Sequence, residues 1–165
     1  MTSYTESGPS SARRPVTAEQ WRAYLTEYSD WYLRVTGLTA EDTIPNGDSP
    51  TAQQVSARWL GYEPATDQMI AAAEERLGVK LPPSLRGFLL ASNGWRKVSE
   101  WTVALTNCDE IDWFRNTHPE FIDALDGQAT EDDDDAVEFC TDCLNVARGE
   151  DAFLLDTSPA RTSAS

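Results

Sequence analysis

Cys140 and Cys143 stand in Cys-Thr-Asp-Cys, the spacing of half a zinc site or of a redox pair, and Cys108 with His118 can be imagined to complete four ligands. A zinc reading asks for a second such pair, which the chain does not contain, and a redox motif belongs before a helix, whereas the pattern around these cysteines predicts strands. The three thiols therefore read as reduced core or surface residues, and no disulfide is expected. His118, the sole histidine, precedes Pro119 at a predicted helix start, and nothing near it supplies a nucleophile, so no triad can be assembled. Asp109, Glu110 and Asp112, and the acidic run Glu131, Asp132, Asp133, Asp134 and Asp135, carry carboxylates enough for Ca²⁺. They lack the glycine and terminal glutamate of an EF-hand loop at the required positions, and read instead as a solvated acidic face. Gly78, Gly87 and Gly94 form neither nucleotide-binding pattern. No catalytic residue, cofactor or metal is assigned, and the chain is expected not to be an enzyme.

What the acidic residues do offer is a field. Of the formal charge of -15, residues 1 to 99 contribute almost nothing (11 acidic and 10 basic side chains), while residues 100 to 165 hold 17 acidic and 3 basic ones. A surface of that sign repels nucleic-acid phosphates and steers a basic protein inward with a strong dependence on salt. A solubilising acidic surface is the competing reading. No window approaches the roughly 20 apolar residues of a membrane span. Arg13-Arg14 has no apolar run behind it, which argues against a secretory or twin-arginine signal and gives a cytoplasmic expectation.

The elements follow from periodicity. Residues 1–15 are rich in Ser, Thr, Gly and Pro and read as a disordered lead. Thr17-Ala-Glu-Gln20 fits a capping box, and Trp21, Tyr24, Leu25, Tyr28, Trp31, Tyr32 and Val35 then recur at helical steps until Gly37, an aromatic stripe expected to be core. A loop through Pro45-Asn46-Gly47 leads to a second helix starting at Ser49-Pro50 and ending near Gly61. Thr66 caps a helix carrying Ile70, Ala73 and Leu77 and closed by Gly78; Pro82-Pro83 opens the next, with Leu85, Phe88 and Leu89, until Asn93-Gly94. Beyond Gly94 the pattern turns extended, with Trp101, Val103 and Leu105 alternating against Thr102 and Ala104. Asp109 is predicted to cap a short helix with Ile111, Trp113 and Phe114, and Pro119 another with Phe121, Ile122 and Leu125. Residues 136–139 are predicted as a strand. Leu144 and Val146, then Phe153-Leu154-Leu155, are predicted as a hairpin around Arg148-Gly149-Glu150-Asp151.

The corner between Met69 and Trp95 carries a resemblance. A glutamate (Glu74 or Glu75) before Leu77-Gly78, then Leu81-Pro82, Phe88-Leu89 and Asn93-Gly94, is similar to the signature of the SUKH superfamily, the group of the yeast cell-wall-synthesis regulator Smi/Knr and of many bacterial toxin-immunity proteins. The resemblance covers Trp59 to Asp112 directly, and it implies that Leu77, Gly78, Leu81, Pro82, Phe88, Leu89, Asn93 and Gly94 are structural. It also implies an α+β fold of N-terminal helices plus a small, mostly antiparallel sheet flanked by helices. Only SPARTSAS follows Thr157, so the last strand of the family pattern is expected to be absent. The expected organisation is a lead (1–15), a helical extension (16–62), a SUKH-like core (63–157) and a disordered tail (158–165).

The function implied is that of a non-enzymatic binding module resembling an immunity protein, whose partner is a basic toxin domain such as a nuclease. Nucleic acid and membrane are not expected as partners. Asp109, Glu110, Asp112, Asp132, Asp133, Asp134 and Asp135 would imitate phosphates, and tryptophans such as Trp95, Trp101 or Trp113 would anchor the contact. The alternative is a cytoplasmic regulatory scaffold of the Smi/Knr type.

Overall fold

The Thr17 hydroxyl accepts the backbone N–H of Gln20 at 3.2 Å, and the Gln20 side chain accepts the Thr17 N–H in return. This is the predicted capping box, and it opens α1 (Ala18–Thr36), which closes at Gly37 in the left-handed conformation, φ 64°. The chain is described by a computed structural model over residues 14–44, 49–96, 102–128, 134–149 and 152–157. The rest of the predicted lead, Pro45-Asn46-Gly47, Trp101, Asp132, Asp133, Glu150, Asp151 and the predicted tail at 158–165 lie outside it. A short 3-10 turn (Ala40–Asp42) precedes α2 (Ala52–Ala57). Its cap is Thr51 rather than Ser49, because Thr51 has a glutamine three residues on to complete a second capping box. It also stops short of Gly61: Arg58 turns left-handed at φ 52°, releasing Trp59 to pack edge-on against Trp95 at 5.4 Å.

α3 (Asp67–Leu77) and α4 (Pro83–Ala91) form the predicted corner, capped by Thr66 and closed by Gly78 at φ 73°. Of the two candidate motif glutamates, Glu74 is the buried one. Its Oε1 accepts the Leu81 N–H at 3.1 Å and its Oε2 accepts Lys80 Nζ at 2.7 Å, with Arg86 at 3.8 Å. Burial pushes this carboxyl up, but the Lys80 and Leu81 hydrogen bonds and the charges of Lys80 and Arg86 outweigh it and hold the pKa below the ordinary glutamate value. Leu77, Leu81, Phe88 and Leu89 all enter one core with Ile70 and with Leu25 and Leu33 of α1. Asn93 donates its N–H to Glu63 O and accepts the Cys108 N–H on Oδ1 at 2.9 Å. Gly94, at φ 98°, lies where a Cβ would come within 3.0 Å of Leu105 O.

α1 lies across α4. Trp21 Nε1 donates to Ser84 O at 2.8 Å, and its ring meets Phe88 edge-on at 5.3 Å. The approach is closest at Gly87, where an added Cβ would stand 2.0 Å from Val16 O.

Among the described residues, the remaining chain builds two three-stranded antiparallel sheets with helices between their strands. In chain order these elements are β1 (Trp95–Arg96), β2 (Thr102–Leu105), β3 (Asp112–Trp113), α5 (Phe114–Thr117), α6 (Pro119–Gln128), α7 (Asp134–Thr141), β4 (Cys143–Asn145), β5 (Ala147–Gly149) and β6 (Leu154–Asp156). The sheet orders are β1-β2-β5, with Trp95 opposite Leu105, and β3-β4-β6, with Leu144 opposite Leu155. The α+β class is as expected. Three local expectations are corrected. Residues 136–139 are helical, because Val137, Cys140 and Thr141 make a helical stripe and the aspartates before them suit a helix N-terminus. No helix starts at Asp109: Asn107 Oδ1 accepts the N–H groups of Asp109 and Glu110, making a turn that leads into β3. The predicted hairpin does pair, as β4 with β6, but Arg148-Gly149 is not its turn; these residues form part of β5, which leaves for the other sheet and pairs with β2.

Two sets of substitutions test this packing. Gly87→Ala should cost about 1–3 kcal/mol, since a backbone carbonyl rather than a flexible side chain blocks the methyl group. Gly127→Ala, with open space around it in α6, should gain roughly 0.5–1 kcal/mol; urea unfolding of both variants is the measurement. Glu74→Gln should cost about 1–3 kcal/mol at neutral pH. Because the folded pKa is depressed, this contribution is fully present above the ordinary value of 4.5 and is lost as pH falls through the folded pKa, so the gap between variant and parent should close in acid.

Candidate partner-binding site

The turn at residues 107–111 is held from two sides. Arg76, projecting from α3, donates through one guanidinium nitrogen to Cys108 O at 3.0 Å and Ile111 O at 2.8 Å, and Asn93 receives the Cys108 N–H. Asp109 and Glu110 stand exposed on this turn, and half-buried Asp112 follows, its Oδ1 accepting the Trp113 N–H and Asn116 Nδ2. Arg148 of β5 reaches Glu110 at 3.3 Å, with both side chains about half exposed (52% and 42%), so the pair is worth no more than about 1 kcal/mol. It separates two shallow hollows, one of about 400 Å³ beside Tyr62, Asn93 and Gly94, the other of about 340 Å³ beside Thr106, His118 and Asn145.

Arg115 anchors the helices that follow. It donates to Thr141 O at 2.7 Å, pairs with Asp142 at 3.5 Å, and lies 4.5 Å over the Trp113 ring, so α5 ties β3 to the end of α7. Phe114 is buried, with His118 stacked on it at 4.8 Å and Phe121 edge-on at 5.5 Å. Outside this aromatic contact the layer is acidic: Glu120, Asp123, Asp126, Asp135, Glu138 and Asp142 are all exposed. Among the described aromatic residues, only Phe121 (47%), Phe139 (50%) and Phe153 (39%) are exposed, and all three belong to this acidic half.

The residues expected from sequence to meet a partner divide. Asp109, Glu110 and Asp112 are where a partner could reach them. Asp134 and Asp135 open α7, an element separate from the 107–111 turn. Trp95 is removed from the set: at 2% exposure, packed between Tyr28 and Trp59, it belongs to the core. Trp113 is half-buried beneath Arg115. Sequence reasoning did not single out the exposure of Phe121, Phe139 and Phe153. For Phe139 a signal existed: read as a helix, 134–141 puts it four residues after Asp135, on the side opposite Val137.

The imagined zinc set is not assembled. Among the described residues no three His, Cys, Asp or Glu side chains stand where they could hold a metal. Cys140 lies in the last turn of α7 rather than in a strand, and Cys143 is buried in β4. Burial pushes the Cys108 and Cys143 thiols up, helped by nearby aspartates such as Asp109 and Asp156, which disfavours thiolate chemistry at either sulfur.

The model of the SMI1 / KNR4 family (SUKH-1) matches residues 64–164. The chain belongs to this family. No curated protein and no solved structure matched it. Within the family region lie the Glu74 corner, the 107–111 turn and both sheets, whereas α1 and α2 precede it. SUKH proteins are associated with protein–protein interaction in immunity or regulation. No described helix is long and apolar enough to cross a membrane.

For this SUKH chain, chelation with EDTA should leave the melting temperature unchanged, and metal analysis should find no stoichiometric zinc. A fall in melting temperature on chelation would restore Cys140 and Cys143 as ligands.

Proposed function

We propose that this SUKH protein is a non-enzymatic immunity module, working in the bacterial cytoplasm, that occupies a basic toxin domain and keeps its active site from substrate. The observation that carries the reading is the concentration of charge: 17 acidic against 3 basic side chains in residues 100 to 165, on a fold of a protein-binding family. A nuclease must be positive where it holds phosphates, and carboxylates on the 107–111 turn and on α7 can take the phosphates' place. The same field raises the association rate and makes it fall with salt. His118, stacked on Phe114, and the raised thiols at Cys108 and Cys143 supply no activated nucleophile, in keeping with a binding role.

The test uses the C-terminal domain of a secreted protein encoded in the neighbouring reading frame. Reversing Asp109, Glu110 and Asp112 to lysine, and separately Asp132 to Asp135, should each weaken binding by about tenfold or more and flatten its salt dependence. Unchanged affinity and salt slope would overturn the charge mechanism. Recovery of a cell-wall or regulatory complex on the purified protein, in place of a toxin, would favour the Smi/Knr-type regulator instead.

A further inference from the structure

Two of the five phenylalanines, Phe88 and Phe114, are buried to 4% exposure; the other three are the exposed aromatics of the acidic half. Phe139 is half in water on α7 while Val137, Cys140 and Thr141 of the same helix turn partly inward. Asp135, one turn before it, and Asp142, one turn after, share its side of the helix. Phe121 of α6 rests one edge on Phe114 and leaves the other side exposed. α6 and α7 pack on each other, so both rings belong to one helical layer.

An apolar ring inside a carboxylate rim selects its occupant by charge. A second copy of this chain would bring the same aspartates against themselves, and an anionic membrane or a nucleic acid would be repelled likewise. What fits is a protein surface with an apolar depression rimmed by lysine and arginine, which gains ring burial at the centre and charge pairing at the edge. Resting on the reading that the partner is basic, we infer that the outer face of α6 and α7 is part of the contact surface, with Phe121 and Phe139 seated in the partner and Asp135 and Asp142 on its basic rim.

Photo-crosslinking in the cell of origin tests the face. Benzoylphenylalanine is placed at position 121 or 139 and, as control, at exposed Glu27 of α1. The expected result is an adduct from 121 and 139, but not from 27, with one basic protein. That protein, identified by mass spectrometry and purified, should bind Phe139→Ser and Phe121→Ser about tenfold or more weakly than the parent, with the melting temperature of Phe139→Ser unchanged. Absence of adducts at both positions, or parental affinity of both variants for a basic partner, overturns the face and leaves the basic-partner reading standing. An adduct with an acidic protein overturns both.

Discussion

A carboxylate inside the α3–α4 corner holds the rest of the molecule in place. Glu74 is 7% exposed and its Lys80 partner is 87% exposed, so the ion pair adds little; the buried partner is the Leu81 N–H, which has no helix to bond to between Gly78 and Pro83. With that N–H satisfied, Leu81 can enter the core and Pro82-Pro83 can start α4 at a fixed angle. Arg76, two residues further along α3, then falls where its guanidinium reaches Cys108 O and Ile111 O. The corner thus positions the turn that displays Asp109 and Glu110, although neither touches it.

The two halves of the chain divide the work along the same line as their charge. The nearly neutral first half is spent on packing: Trp21 holds α4 by donating to Ser84 O, and Trp59 and Trp95 meet edge-on beneath Arg22, whose guanidinium lies 4.0 Å over the Trp59 ring. Two buried hydroxyls fix the backbone of the extension, one from within it and one from α4's end. Ser29 Oγ accepts the Leu60 N–H, and Ser92 Oγ accepts the Tyr62 N–H. Trp21, Trp59 and Trp95 are thereby spent on internal packing, whereas the exposed rings among the described residues are phenylalanines of the second half.

Where local rules act alone, the sequence is transparent. The capping box at Thr17, the stops at Gly37 and Gly78 and the proline start of α4 each depend on a few neighbouring residues and appear as read. The aromatic stripe of α1 packs as core through Trp21, Tyr24, Tyr28 and Tyr32. The reading fails where a short segment fits two periods. Ala136-Val137-Glu138-Phe139 alternates well enough for a strand, and only its continuation into Cys140 and Thr141, which join Val137 in a stripe at helical spacing, decides for a helix. Likewise Arg148-Gly149 is a plausible turn until β2, more than forty residues earlier, takes it as a neighbour, a pairing no local pattern contains. Residue type alone points Trp95 toward a contact surface, whereas its burial depends on Tyr28 and Trp59, which are distant in sequence.

The acidic half faces a problem that its own placement of charge eases. Concentrated carboxylates repel one another and oppose folding, yet several stand where a helix end draws them: Glu120 in the first turn of α6, and Asp134 with Asp135 at the start of α7. Negative charge is favoured at a helix N-terminus, so residues that give the surface its field also help to start the helices that carry it. Arg115 balances the other end of α7, binding Thr141 O and Asp142 where a helix C-terminus favours a cation. The negative field is therefore compatible with a stable helical layer that carries exposed phenylalanines among its charges.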